Sequence, residues 1–257
     1  ECSFSVERLT EIISQLGYTK IVIKSDGENA IVSLKKAVKK RLGLSIAIIQ
    51  EEAPWGDHQA EGAMEVGIRD IQGMARVLKC TAEHRLGILI PHDHPILSWL
   101  PRYAAQLINR FRVGSDGRTA YELGMGKPYK RELVSWGERI LYGRNPKKGE
   151  KIAKGQSKWY EGFFVGLREM SDEIMVMTAD GVFRARSMRR LEPQSRWNPI
   201  DFDILCGTPW EPSPGVREVL PAQIRLLPET IVAPPDVTPA VREAAPHAIH
   251  IGRVRDL

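Results

Sequence analysis

The sequence predicts an α/β core followed by a small all-β module and a proline-rich tail, and three observations carry that prediction. Up to about residue 112, apolar residues fall at helical spacing in stretches that alternate with short apolar runs. From Gly149 to Trp197 the pattern changes to short alternating runs bounded by turn residues. Residues 199–257 hold 10 of the chain's 17 prolines and little periodicity, as expected of a mostly disordered tail. The boundaries that follow are 1–145 for the core, 149–197 for the module and 198–257 for the tail.

Each element has its own signal. Val6, Leu9, Ile12, Ile13 and Leu16 share one face of a first helix, and Gly17 is placed to end it in the left-handed conformation. A strand is expected over Lys20 to Lys24. The next helix runs from about Glu28 to Leu42, with Ile31, Leu34, Val38 and Leu42 on one face, five basic residues elsewhere and Gly43 behind it. Ser45 to Ile49 reads as a second buried strand, and a helix between two such strands implies a right-handed crossover if they are parallel. Glu51 to His58, with Pro54 and Gly56, reads as a loop. Long helices are expected from about Ala60 to Thr81 and from Ile96 to Arg112. In the module, strands are expected over Trp159 to Leu167, Glu173 to Thr178 and Val182 to Arg189, with Asp180-Gly181 at a hairpin position.

Charge and cysteine usage narrow the function classes. The net charge of +5 is modest, yet residues 127–196 carry 16 Lys or Arg against 9 Asp or Glu, so the basicity is concentrated where a polyanion would bind. Cys2, Cys80 and Cys206 are odd in number and widely spaced, which argues against a disulfide framework and for a reducing compartment. No apolar stretch approaches the ~18 residues of a membrane span, and the first residues lack a signal pattern. A soluble, intracellular chain with no membrane partner is expected. Cys80, His84, His92 and His94 do not reproduce a zinc-finger spacing, and His92 and His94 read as loop residues between prolines. Trp99, Tyr103, Leu107 and Phe111 form an apolar stripe that reads as core.

Two acids stand out by position. Asp26 lies at the carboxyl end of the first strand, where open α/β sheets place their chemistry, although Asp-Gly after a strand is first of all a turn. Glu65 lies near the start of the long helix, in a polar stripe with Arg69, Gln72 and Arg76; Met64, Ile68, Ile71, Ala75 and Leu78 form the adjacent apolar face, which is expected to dock on the sheet. The plainer alternative is a solvated helix face with Glu-to-Arg pairs one turn apart.

The segment Ile21-Val22-Ile23-Lys24-Ser25-Asp26-Gly27-Glu28, together with Gln59-Ala60-Glu61-Gly62-Ala63-Met64-Glu65, resembles the catalytic core of retroviral and retrotransposon integrases. Gln59-x-x-Gly62-x-x-Glu65 is similar to that family's Gln-Ser-Asn-Gly-x-x-Glu signature, with Ala60-Glu61 in place of Ser-Asn. Trp99-Leu100-x-x-Tyr103-Ala104-Ala105, Asn109-Arg110, Asp116-Gly117-Arg118-Thr119-Ala120-Tyr121-Glu122 and Trp136-Gly137-Glu138 continue the resemblance, which spans about residues 5–197. It implies a partial ribonuclease-H-like core with its first strands missing, then an SH3-like barrel.

By the resemblance, Asp26 and Glu65 are catalytic ligands of Mg²⁺ (or Mn²⁺), completed by an Asp on an earlier strand, for 3′-end processing and strand transfer of DNA. Such chemistry suits a hard cation with oxygen ligands, two of which clamp an in-line displacement. No Asp precedes Asp26, so the expectation is a fragment that does not assemble the full triad alone. Arg69 and Arg76 are expected near DNA, and Arg184, Arg186, Arg189 and Arg190 are expected on its backbone, Arg184 and Arg186 sharing a strand face. The implied partners are element ends and target duplex, with a possible homo-oligomer and a nuclear location if the chain is functional. Two alternatives stay open: a non-enzymatic nucleic-acid-binding module, and a protein-interaction scaffold.

Overall fold

A computed structural model describes residues 3–25, 27–52, 62–143, 155, 157–169, 171–215 and 225–226. It is α/β: five α-helices with a two-stranded parallel sheet, then a five-stranded antiparallel sheet.

Helix α1 (Ser3–Gln15) and helix α2 (Asn29–Leu42) cover one face of the parallel pair β1 (Lys20–Ser25) and β2 (Ala47–Glu52). Gly17 and Gly43 follow the two helices at φ of 71° and 59°, a conformation that glycine adopts without a steric penalty. Strand alternation sends Ile21 and Ile23 toward the helices, where they surround a small core of Ile13, Val38, Leu42 and Ile48. The same alternation leaves Val22 and Ile49, which are register partners, 53% and 40% exposed. A parallel sheet covered on one face only is unusual.

The main core lies elsewhere. Helix α3 (Gly62–Leu86), the short strand β3 (Ile88–Leu89), a 3₁₀ turn (Pro95–Trp99), helix α4 (Leu100–Phe111) and helix α5 (Ala120–Met125) lead to the large sheet. Its strands are β4 (Arg139–Gly143), β5 (Trp159–Leu167), β6 (Ile174–Thr178), β7 (Gly181–Ala185) and β8 (Met188–Arg190), in the order β7-β6-β5-β4-β8. A final strand, β9 (Arg225–Leu226), pairs antiparallel with β3.

The large sheet is covered on both faces, which explains its near-continuous apolar runs. Neighbouring residues on β5 show both sides: Phe164 packs edge-on against Tyr103 of α4 at 5.3 Å, and Phe163 against Phe202 at 5.2 Å. The sheet must also curl. Laid flat, its outer strands would stand about 19 Å apart, whereas the step from Ala185 to Met188 spans roughly 11 Å at most.

Helices α3 and α4 and Trp136 share one buried cluster with β4 to β7. Beyond residue 198, Phe202 and Leu205 are 0% and 2% exposed, and Pro212 O accepts a hydrogen bond from Val182 N at 2.7 Å. Sparse periodicity there reflects irregular backbone pinned by single side chains. The expected strand from Val182 to Arg189 is broken at Arg186-Ser187 into β7 and β8, which lie at opposite ends of the strand order.

Helix α5 begins with a capping box in which Thr119 Oγ1 accepts from Glu122 N and the Glu122 carboxylate accepts from Thr119 N, each at 3.1 Å. Thr119→Ala is expected to cost about 1 kcal/mol, read as a lower denaturant midpoint at unchanged slope.

The two cores are tied through Glu169. Its carboxylate accepts from Arg102 Nε and Nη2 of α4 at 3.1 and 3.0 Å and pairs with Arg8 of α1. Burial pushes this carboxyl upward, but the hydrogen bonds and charges of Arg102 and Arg8 bring it below its ordinary range. Phe4 of α1 also meets Trp210 edge-on at 6.4 Å.

Candidate functional site

The carboxyl ends of β1 and β2 are polar: Ser25 is buried, Gln50 half-buried, and Glu51 and Glu52 exposed. Ser25, the last residue of β1, is 6% exposed and directly precedes Asp26, which lies outside the described residues, as do residues 53–61. Lys35 of α2 is 1% exposed, and its ammonium donates to the Glu51 carbonyl at 3.3 Å. The α2 crossover thus places a cation at the strand ends. Gln50 Nε2 is buried there without a hydrogen-bond partner among the described residues. Glu28 precedes α2 in extended conformation, and Gly27 separates it from Asp26.

Glu65 sits in the first turn of α3 and is exposed, as are Arg69, Gln72 and Arg76, so the expected polar stripe is solvent-facing. Arg76 Nε donates to Gln72 O of its own helix at 3.3 Å. Docking of the apolar face differs from expectation. The C-terminal part of that face, Ala75 and Leu78, and its continuation, Ala82 and Leu86, join the main core, while Met64 and Ile68 remain 45% and 50% exposed. The helix is long enough to run past its partner α4, and its first turns lie beyond the main core.

Among the described residues, no group of three or more His, Cys, Asp or Glu side chains lies close enough to hold a metal ion. Glu65 is an exposed carboxylate in the first turn of α3, and Asp26 follows Ser25 in the chain, outside the described residues.

The four module arginines take different roles. Arg184, on β7 opposite Met175, is exposed. Arg186 lies past the end of β7, 79% exposed, with Nε 3.5 Å from Glu173 Oε1; its side chain is therefore not held to Arg184's face by strand geometry. The nearby Ser171 hydroxyl, followed by Arg186 and Arg168, holds the Glu173 carboxyl below its usual range. Arg189 stacks on Trp159. Arg190 is committed inward: Nε and Nη2 donate to the Glu138 carboxylate at 2.7 and 2.8 Å, and Nη1 to Glu132 at 3.0 Å. Hydrogen bonding to Glu138 raises the Arg190 pKa further. Arg184, Arg186 and Arg189 are the outward cations of the bend joining β7 and β8.

Sequence reasoning read His94 as a loop residue and gave Glu138 no role beyond the Trp136-Gly137-Glu138 resemblance. Glu138 is 0% exposed, a charged side chain that needed a partner, and an alternating strand with Arg190 facing inward was the available signal. His94 is 2% exposed; its Nδ1 accepts from Ile96 N at 3.2 Å, so its Nε2 carries the proton and donates to Phe202 O at 3.0 Å. Both ring nitrogens are occupied, so His94 is a structural clamp on the 3₁₀ turn.

Compared with protein-family models the chain matches none, and no curated protein matches it. No helix among the described residues is long and apolar enough to cross a membrane.

Proposed function

We propose that this chain is part of a retrotransposon-type integrase: a partial ribonuclease-H-like core with an SH3-like module that holds DNA. The observation that carries the reading is positional. Asp26 directly follows a parallel strand, a crossover helix leads to a second parallel strand, and Glu65 opens the next helix. That order supports a two-carboxylate site at the strand ends, where α/β sheets place ligands. The strand order β7-β6-β5-β4-β8 with its tight β7–β8 bend supports the SH3-like reading.

Asp26 and Glu65 would hold Mg²⁺, which, when bound, offsets phosphate charge and orients oxygens for displacement. Asp26 and Glu65 would supply two of the three acids of such a site. Arg184, Arg186 and Arg189 contact phosphates of element ends or target duplex, and Arg69 and Arg76, exposed on α3, offer further cations to DNA. The site of action is the nucleus, and self-association would supply further DNA contacts.

A non-enzymatic DNA-binding module is the second reading, favoured by the outward arginines of the β7–β8 bend. One titration separates the two. Duplex affinity should fall with salt between about 50 and 200 mM, with a log-log slope of about −0.9 per neutralised phosphate. Arg184→Glu with Arg186→Glu should weaken binding under both readings. Asp26→Asn and Glu65→Gln should abolish a Mg²⁺-dependent gain in affinity if the acids hold metal, and should change nothing if the module only binds DNA. Salt-independent or absent binding would remove both readings in favour of a protein-interaction scaffold.

A further inference from the structure

Trp159 opens β5 directly opposite Gly143 of β4, and its indole is partly exposed. Arg189 of β8, opposite Leu141 in the adjoining row, places its guanidinium 4.6 Å from the indole centroid. Gly143 contributes no side chain, and Ser187 occupies the room this leaves: a Cβ on Gly143 would lie 2.6 Å from Ser187 Oγ. Ser187 is held there by its carbonyl, which accepts from Gly143 N at 3.0 Å. Lys158, exposed, precedes the indole in the chain. An aromatic plane, a hydroxyl and a cation therefore meet at one end of the sheet, with a second cation next to them in sequence.

We propose that this notch takes one unpaired nucleotide, its base on Trp159 and its phosphate on Arg189 and Ser187. The large sheet then prefers single-stranded or frayed nucleic acid to intact duplex. This rests on the nucleic-acid reading above and adds to it a substrate class. In a duplex, base faces are already stacked on their neighbours, so an indole gains contact only by unstacking them. An unpaired base presents its face freely, and stacking on an aromatic side chain is indifferent to sequence. Arg189 covers the ring in the free protein and moves to the phosphate as the base arrives. A cation over an indole also occurs as plain surface packing, roughly once per 70–80 residues. The two roles differ in one respect, since packing alone leaves strand preference unchanged.

The test is fluorescence anisotropy with a labelled oligodeoxythymidylate and a labelled mixed-sequence duplex, using the whole chain. Trp159→Ala should weaken single-strand binding about tenfold and duplex binding less than about twofold, with Trp159→Phe retaining most of the single-strand affinity. Trp159→Leu keeps an apolar side chain for folding while removing the ring, and it decides the matter if Trp159→Ala does not fold. Equal losses on both probes, or none on the single strand, would overturn the notch alone while duplex binding stood. Binding of neither probe by the unaltered chain would overturn the notch together with the nucleic-acid reading.

Discussion

Arg190→Ala is expected to destabilise the protein by about 3–5 kcal/mol, because it strands a buried charge. Glu138 is fully buried beside Trp136, and Arg190 supplies its two shortest hydrogen bonds, 2.7 and 2.8 Å. What remains after truncation is poorer: Arg196 Nε at 3.7 Å and Ser135 N at 3.4 Å. The carboxylate then stays ionised without a close partner or takes a proton, and either outcome costs free energy. Arg184→Ala, removing an exposed cation from the same bend, should change stability by less than about 0.5 kcal/mol. Removing both partners, in Glu138→Leu with Arg190→Met, should recover a large part of the loss. Urea unfolding of the four proteins measures all of this. A loss below about 1 kcal/mol for Arg190→Ala would mean that Arg196 swings in to replace it.

Stability is also expected to fall as the pH drops below about 6.5, with His94 responsible. Burial lowers the His94 pKa, partly offset by its bond to the Phe202 carbonyl and by the charges of Asp93 and Asp203. The unfolded chain therefore takes up a proton at this residue before the folded one does. Above about 6.5 both states are neutral and the contribution is whole; as pH falls toward the lower folded-state pKa, up to about 1.4 kcal/mol is lost per pH unit. Geometry gives the reason, since a proton on Nδ1 would face Ile96 N–H, which that atom now accepts. His94→Gln should lower stability at pH 8 by about 1–3 kcal/mol and flatten the difference curve at lower pH. A slope unchanged by the substitution would assign the acid sensitivity to other groups.

Much of the secondary structure was legible because it depends on local pattern. Gly17 and Gly43 end their helices as expected, and β5 occupies the expected Trp159 to Leu167 run. What escaped depends on distant partners. Strand β4 holds only five residues, and its Arg139 and Tyr142 are settled by β5 and β8 on either side. Phe202 and Leu205 lie in a stretch too irregular for any period, yet each fills a space in the main core. The stripe of Glu65, Arg69, Gln72 and Arg76 was readable from helical spacing; the surface on which its helix rests was not, since periodicity gives a face and not its neighbour. Arg190 likewise looked equivalent to Arg184, Arg186 and Arg189 until Glu138 was found beneath it.

The unequal size of the two cores bears on the order in which the molecule comes apart. Ile13, Val38, Leu42 and Ile48 are the only fully buried apolar side chains of the smaller cluster among the described residues, and each is worth about 1.5–3 kcal/mol. The segment thus leans on the Glu169 link to Arg8 and melts as a sub-global unit before the large sheet does. Strand β1 belongs to the part that opens first, whereas the arginines of the β7–β8 bend belong to the part that holds. Under mild denaturant the protein would lose its parallel pair of strands while the large sheet kept its outward cations in place.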